Sequence, residues 1–187
     1  MENIYLQKVL EGDISKFSYF IEKYKDMAFS IAFRIINNRE DAEEIVQDSF
    51  LRAFQSLKKF RFDSKFSTWF YRIVVNNSLS KLKREKQDTR NIDIDKVSDS
   101  IIENVESVYK GLIQADQQKF INYALGELCI EDRLLLTLYY LNENSIDEIA
   151  EITNISQKTL KMKIHRARKK MYIVLEERLK SEIHNLI

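Results

Sequence analysis

Between residues 158 and 170 the chain carries Lys158, Lys161, Lys163, Arg166, Arg168, Lys169 and Lys170, with no acid among them. Ammonium and guanidinium groups of one sign suit phosphate, and a guanidinium can engage a guanine edge in two parallel hydrogen bonds. Leu160, Ile164, Ala167 and Met171 recur at helical spacing through the same stretch, which puts the apolar residues on one face and leaves the charge on the other. Just upstream, Ser145 and Glu148 form a capping-box pair, and Ile146, Ile149 and Ala150 give a short helix its stripe. Thr153-Asn154-Ile155 supplies a turn at which Asn154 tolerates the left-handed conformation, and Ser156 is a second N-cap. Two helices about a tight turn, the second one basic, read as a helix-turn-helix that enters the major groove. In that geometry Lys158, Lys161, Met162, His165 and Arg166 face base edges, and Lys169 and Lys170 face phosphates. His165 is mostly uncharged near neutral pH and serves equally well as a plain surface residue. A solvated amphipathic helix in an ordinary bundle is the alternative, and the capped turn together with the one-sign face favours DNA.

A second constellation runs from residue 59 to 86. Phe60, Phe62, Phe66, Trp69, Phe70 and Tyr71 lie among Lys59, Arg61, Lys65 and Arg72, and the segment ends on Lys81, Lys83, Arg84 and Lys86. Rings interleaved with cations suit a single strand, because bases stack on the rings while the cations follow the backbone. Two or three of the rings are expected to face nucleic acid and the rest to hold helices together. A third stretch, from Arg39 to Phe60, has its apolar stripe at Ala42, Ile45, Val46, Phe50, Ala53, Phe54 and Leu57. Its acids Glu40, Asp41, Glu43 and Glu44 crowd the first turns and Lys58 and Lys59 close it, the order a helix dipole prefers. Gln47, Asp48 and Leu51 fall off the stripe and are expected to form a docking surface for another protein.

The elements that carry these groups are helices. Hydrophobic residues make up 44% of the 187 and charged residues 32%, enough for a packed core, while three glycines and no proline leave too few turn formers for a sheet. The fold class is therefore all-α. Residues 4 to 36 read as two helices separated at Gly12-Asp13, the second strongly aromatic, and Asn37-Asn38 makes the next break. Ser64 to Ser67 read as a polar bend before the helix of the aromatic segment. From Gln87 to Ala115 the stripe fades: six acids stand against three cations, which makes an acidic linker, with room for a short helix near residues 101 to 113. Helical period resumes at Phe120 and continues after Ile130 through Leu134, Leu135, Leu138 and Leu141 to the loop at Asn142-Glu143-Asn144. Residues 172 to 187 prolong the basic helix or add an amphipathic tail. The domains expected are residues 1–86, a linker at 87–115, and residues 116–187.

Other classes are disfavoured. The one cysteine, Cys129, makes no disulfide framework and no multi-cysteine zinc site, and a reducing cytoplasm suits it. The amino terminus lacks the pattern of a signal peptide, and no stretch approaches the roughly 20 apolar residues of a membrane span, so no membrane insertion is expected. With no phosphate-cradling Gly-rich loop, and with His165 and His184 far from any ligand partner, neither an enzyme, a metal site nor a cofactor is expected. A net charge of +1 says nothing about a polyanionic partner; the sorting of charges into blocks does.

In four blocks the chain resembles the extracytoplasmic-function sigma factors of bacterial RNA polymerase. EGDISKFSYFIEKY is similar to the opening of that family's first domain, and DAEEIVQDSFLRAFQSLKKF to the helix that grips the clamp helices of the largest polymerase subunit. FSTWFYRIVVNNSLSKLKRE resembles the helix that melts and reads the minus-10 element, and SIDEIAEITNISQKTLKMKIHRARKKM the helix-turn-helix that reads the minus-35 element. The resemblance implies two small helical domains joined by the acidic linker, with core RNA polymerase and promoter DNA as partners and an anti-sigma factor as a further one. It assigns polymerase binding to Gln47, Asp48 and Leu51, and minus-10 contacts to Arg61, Phe62, Lys65, Trp69, Asn76, Ser80, Lys83 and Arg84. Cys129 stands where the family usually has Pro, Asn154 where a turn Gly is common, and Gln157-Lys158 where Glu-Gly often begins the recognition helix. Ser80 replaces the Asn or Asp that in many members lines a pocket for a flipped-out base, so the promoter sequence does not follow from the resemblance. The rival reading, a stand-alone helix-turn-helix regulator with a sensing or dimerising bundle, leaves the basic aromatic segment without a purpose.

Overall fold

The computed structural model describes residues 1–85 and 114–185, and these are helices, turns and loops without a strand. Helix α1 (Glu2–Leu10) buries Leu6 and Val9 and ends at Gly12, whose φ of 111° favours a residue without Cβ. A 3-10 turn at Ile14–Phe17 leads into α2 (Ser18–Ile36), which buries Phe20, Tyr24, Ala28, Ile31, Ala32 and Ile35. Two asparagines then perform opposite tasks. Asn37, at φ 57°, closes α2 in the left-handed conformation, while the side chain of Asn38 accepts the Asp41 N–H and opens α3 (Arg39–Ser56). Lys58 and Lys59 fall just beyond α3, in a 3-10 turn.

Helix α4 (Phe66–Glu85) completes a trio with α2 and α3. It begins inside the stretch expected to be a polar bend, because Phe66 is almost wholly buried and pulls the first turn into the core. There Phe70 stacks on Phe50 at 4.4 Å and on Phe66 at 5.9 Å, and Phe20 meets Phe66 at 4.6 Å. Helix α1 is tied to α2 by Glu2, whose carboxylate accepts from the Tyr24 hydroxyl and from Lys23. Burial and that carboxylate push the Tyr24 hydroxyl far up, so it stays a donor.

The second half comprises α5 (Gln114–Glu127), α6 (Ile130–Leu136), a π turn at Thr137–Leu141, α7 (Ile146–Thr153) and α8 (Gln157–Asn185). The π turn corrects one expectation. Asn142 donates to Thr137 at 3.2 Å across five residues, and the extra residue rotates Leu141 off the stripe and leaves it 38% exposed. The expected short helix at 101 to 113 and most of the linker lie outside the described residues.

The two halves pack on each other: α7 lies against α4, and α6 against α2, so that buried residues of both form one cluster. Arg133 of α6 donates to the Arg34 carbonyl at 3.2 Å and to the carbonyls of Gly126 and Leu128 at 2.8 and 3.0 Å. One guanidinium therefore satisfies the C-terminal ends of α2 and of α5 together. Arg34 donates in turn to Asn122 at 2.6 Å, and Lys65 pairs with Glu148 at 2.7 Å.

Candidate nucleic-acid interface

The helix-turn-helix is built by its caps. Ser145 Oγ accepts the Glu148 N–H while the Glu148 carboxylate accepts the Ser145 N–H at 2.8 Å, which starts α7. Asn154 ends it at φ 58°, and Ser156 Oγ accepts the Thr159 N–H to start α8. Leu160 and Ala167 are fully buried and Ile164 nearly so. Lys158, Lys161, His165 and Arg166 are exposed on the opposite side with Met162, which is 50% exposed. Lys169 is half-buried.

Not every cation of the run points to solvent. Lys163 donates to both carboxylate oxygens of Glu131 at 2.8 Å, and Lys170 pairs with Asp132, a buried carboxylate that also accepts from the Cys129 thiol at 3.1 Å. Burial, reinforced by Asp132, pushes that thiol up. Lys170, expected on a phosphate, is thus engaged within the protein. The acids lie on the first turn of α6, more than thirty residues upstream, and no periodicity within α8 reveals them.

The rings between residues 60 and 71 divide between core and surface. Phe60, Phe66, Phe70 and Tyr71 are buried, whereas Phe62 is 39% exposed and Trp69 is half-buried against Phe60 at 5.2 Å and Phe66 at 5.7 Å. Phe62 sits at φ 61°, a conformation that costs a bulky residue about 1–2 kcal/mol. The loop around it thus holds an aromatic ring at the surface against its backbone preference. Asn76, Ser80, Lys83 and Arg84 are exposed, and a turn of 100° per residue places Trp69, Asn76, Ser80 and Lys83 on one side of α4. Arg61 pairs with Asp63 at 3.2 Å. Lys81 lies apart from them: it bridges Asp41 and Glu44 of α3, and those hydrogen bonds push its ammonium well up.

On α3, Gln47, Asp48 and Leu51 are exposed, Leu51 at 55%. Between this face and α4 runs a polar chain that periodicity did not disclose. Arg52 donates to Asn77 Oδ1 at 2.6 Å, Asn77 Nδ2 to the buried Ser49 Oγ at 2.8 Å, and Ser49 to the Ile45 carbonyl at 2.6 Å. Asn77 is half-buried where α4 faces α3, and a polar residue at such a position is the signal in the sequence that points to the chain.

Residues 20–87 match the family model of Sigma-70 region 2, and residues 121–171 that of Sigma-70 region 4. The ECF RNA polymerase sigma factor SigW of Bacillus subtilis is 31% identical over 174 residues, covering 87% of this chain and 90% of that protein. The chain belongs to the extracytoplasmic-function sigma factors. SigV of the same organism is 30% identical over 155 residues, covering 83% of this chain and 88% of SigV. The fold is shared with CnrH, solved in complex with the cytosolic domain of CnrY, at a TM-score of 0.65 and 21% identity over 93% of this chain and 96% of that one. It is shared too with the sigma factor RpoE of Bartonella quintana, solved with the anti-sigma factor NepR, at 0.65 and 18% over 86% and 96%.

As a sigma factor the protein binds core RNA polymerase and directs initiation at promoters, with its region 2 match at residues 20–87 and its region 4 match at residues 121–171. Among the described residues no group of His, Cys, Asp and Glu is arranged to hold a metal ion, and no helix is long and apolar enough to cross a membrane.

Proposed function

We propose that this sigma factor divides promoter recognition among three surfaces. Gln47, Asp48 and Leu51 on α3 dock on core polymerase. The loop of Arg61, Phe62 and Lys65, with Trp69, Asn76, Ser80, Lys83 and Arg84 on α4, holds the unpaired strand at the minus-10 element. Lys158, Lys161, Met162, His165 and Arg166 on α8 read the minus-35 element, and Lys169 follows the phosphates. The observation that carries this reading is the exposed side of α8, where Lys158, Lys161 and Arg166 stand opposite the buried Leu160, Ile164 and Ala167. The protein works in the cytoplasm, where its polymerase is, and catalyses nothing on its own. An anti-sigma factor, such as the RpoE of Bartonella quintana is solved with, fits as a further partner.

The test is binding to purified core polymerase followed by transcription from a promoter set with single-base changes. Reversing Asp48 to Lys weakens core binding while the thermal midpoint stays put, because the side chain is exposed and leaves the α3 stripe intact. Unchanged affinity for core in that variant removes α3 from the docking surface.

A further inference from the structure

We infer that Met162 determines specificity by recognising a thymine through its 5-methyl group, at a base pair bracketed by those that Lys158 and Arg166 meet. The inference rests on the reading of α8 as the helix that enters the minus-35 element, and it names the base chemistry at the middle of that helix.

A single exposed apolar residue on a helix is ordinary, so exposure alone says little. The place is what matters. A turn of 100° per residue puts the buried Leu160, Ile164 and Ala167 between about 140° and 200° from Met162, so Met162 stands at the middle of the opposite side. Among the described residues it is the large hydrophobic side chain of α8 that is exposed, at 50%. The exposed Lys158 and Arg166 lie about 40° to either side of it, one turn before and one turn after. Lys163, by contrast, is drawn toward Glu131 at the edge of this side. An apolar tip is thus framed by two cations on the side that faces the groove.

The major groove offers such a tip one apolar group. Guanine, cytosine and adenine present hydrogen-bond donors and acceptors there, and thymine adds its methyl. A thioether pressed on a donor or acceptor displaces water and returns no hydrogen bond, which costs free energy, whereas the same group on a methyl removes apolar surface from both partners. Methionine is unbranched and adaptable, so its Sδ and Cε can follow the methyl across the groove floor. Along the axis Lys158 and Arg166 are each about 6 Å from Met162, roughly two base-pair steps. The cations therefore fix the register within which the methionine meets its base.

The experiment uses holoenzyme and a double-stranded promoter that it transcribes. Each thymine of the upstream element, on either strand, is replaced in turn by uracil, which lacks the 5-methyl and is otherwise the same base. Wild type loses about three- to fivefold in affinity at one thymine, the worth of one methyl taken out of water. That thymine lies within about two base pairs of the position at which Arg166→Ala flattens preference. Met162→Ala, which ends at Cβ and falls short of the base edge, binds the unmodified promoter more weakly by a similar factor and is indifferent to uracil there. Its thermal midpoint stays with that of wild type, because the residue stands opposite the buried stripe. Met162→Leu keeps the uracil response. Cytosine in place of the thymine weakens wild-type binding, and 5-methylcytosine recovers part of the loss because it returns the methyl. A wild-type profile without a uracil-sensitive thymine, in an element where single-base changes still weaken binding, overturns the inference and leaves α8 as the reader. A Met162→Ala variant with the full uracil response overturns it as well. An upstream element in which no single-base change alters binding overturns the minus-35 reading together with the inference.

Discussion

Helices α4 and α8, the two proposed nucleic-acid surfaces, are held in opposite ways. Helix α4 is gripped by α2, α3 and α7, and the first part of it is buried on more than one side, leaving a narrow exposed strip at Asn76, Ser80 and Lys83, with Trp69 half-buried at its head. Helix α8 rests on one stripe and leaves a broad side open. A platform that must hold an unstacked base gains from being fixed all round; a helix that enters a groove needs its surface free. The cations follow the same division. Lys81 on α4 and Lys163 and Lys170 on α8 bind acids of neighbouring helices, so some of each run holds the fold, while Lys83 and Arg84 on α4 and Lys158, Lys161 and Arg166 on α8 stay exposed.

The largest test of that contrast is Phe70→Ala. Fully buried and stacked on two rings, Phe70 is expected to cost about 3–5 kcal/mol in urea unfolding when truncated. A loss below about 1 kcal/mol means that α4 is not the fixed platform its packing describes.

Within α8 the contrast becomes a comparison of Lys170 with Arg166. Lys170→Ala strands a buried carboxylate and is expected to lower stability by about 1–3 kcal/mol while leaving the salt dependence of DNA binding nearly unchanged. Arg166→Ala leaves unfolding unaltered and costs about 1–3 kcal/mol of discrimination at one base position. Melting curves and holoenzyme binding to the single-base promoter set, at several salt concentrations, check both. A salt slope that falls by about 1 in Lys170→Ala returns that residue to the phosphates.

This division of Lys170 from Arg166 also marks how far sequence carries. The caps at Ser145, Asn154 and Ser156, the stripe Leu160-Ile164-Ala167 and the helix breaks at Gly12 and Asn37 are local, fixed by residues within one turn of each other, and they were legible. Partners that meet across helices were not. Asp132 and Lys170, Lys81 with Asp41 and Glu44, and Ser49 with Asn77 are far apart in the chain, and no period within one helix points to the other. The π turn that exposes Leu141 was hidden for a different reason: a one-residue insertion in helical phase leaves the composition unchanged.

The smallest expected effect concerns acid. The Glu148 carboxyl, paired with Lys65, is held below its ordinary value of 4.5, so its contribution to the folded chain is complete above that pH and is lost as the pH falls through the lowered value. A partly exposed pair of this kind is worth about 0.2–1 kcal/mol. Comparing wild type with Glu148→Gln from pH 6 down to 3 checks this. The two curves converge at the acid end, and curves that stay parallel throughout remove Glu148 from the pH dependence.

The hydrogen-bonded chain from Arg52 through Asn77 to Ser49 has a mechanical meaning. Gln47, Asp48 and Leu51 sit within four residues of Ser49 on α3, and Asn76 is the immediate neighbour of Asn77 on α4. The proposed docking face and the proposed strand-holding face are thus two sides of one keyed joint, in which neither helix slides by a turn without breaking the hydrogen bond from Asn77 to Ser49. On the proposed reading, alignment to polymerase on one side becomes, with little play, alignment of the captured base on the other.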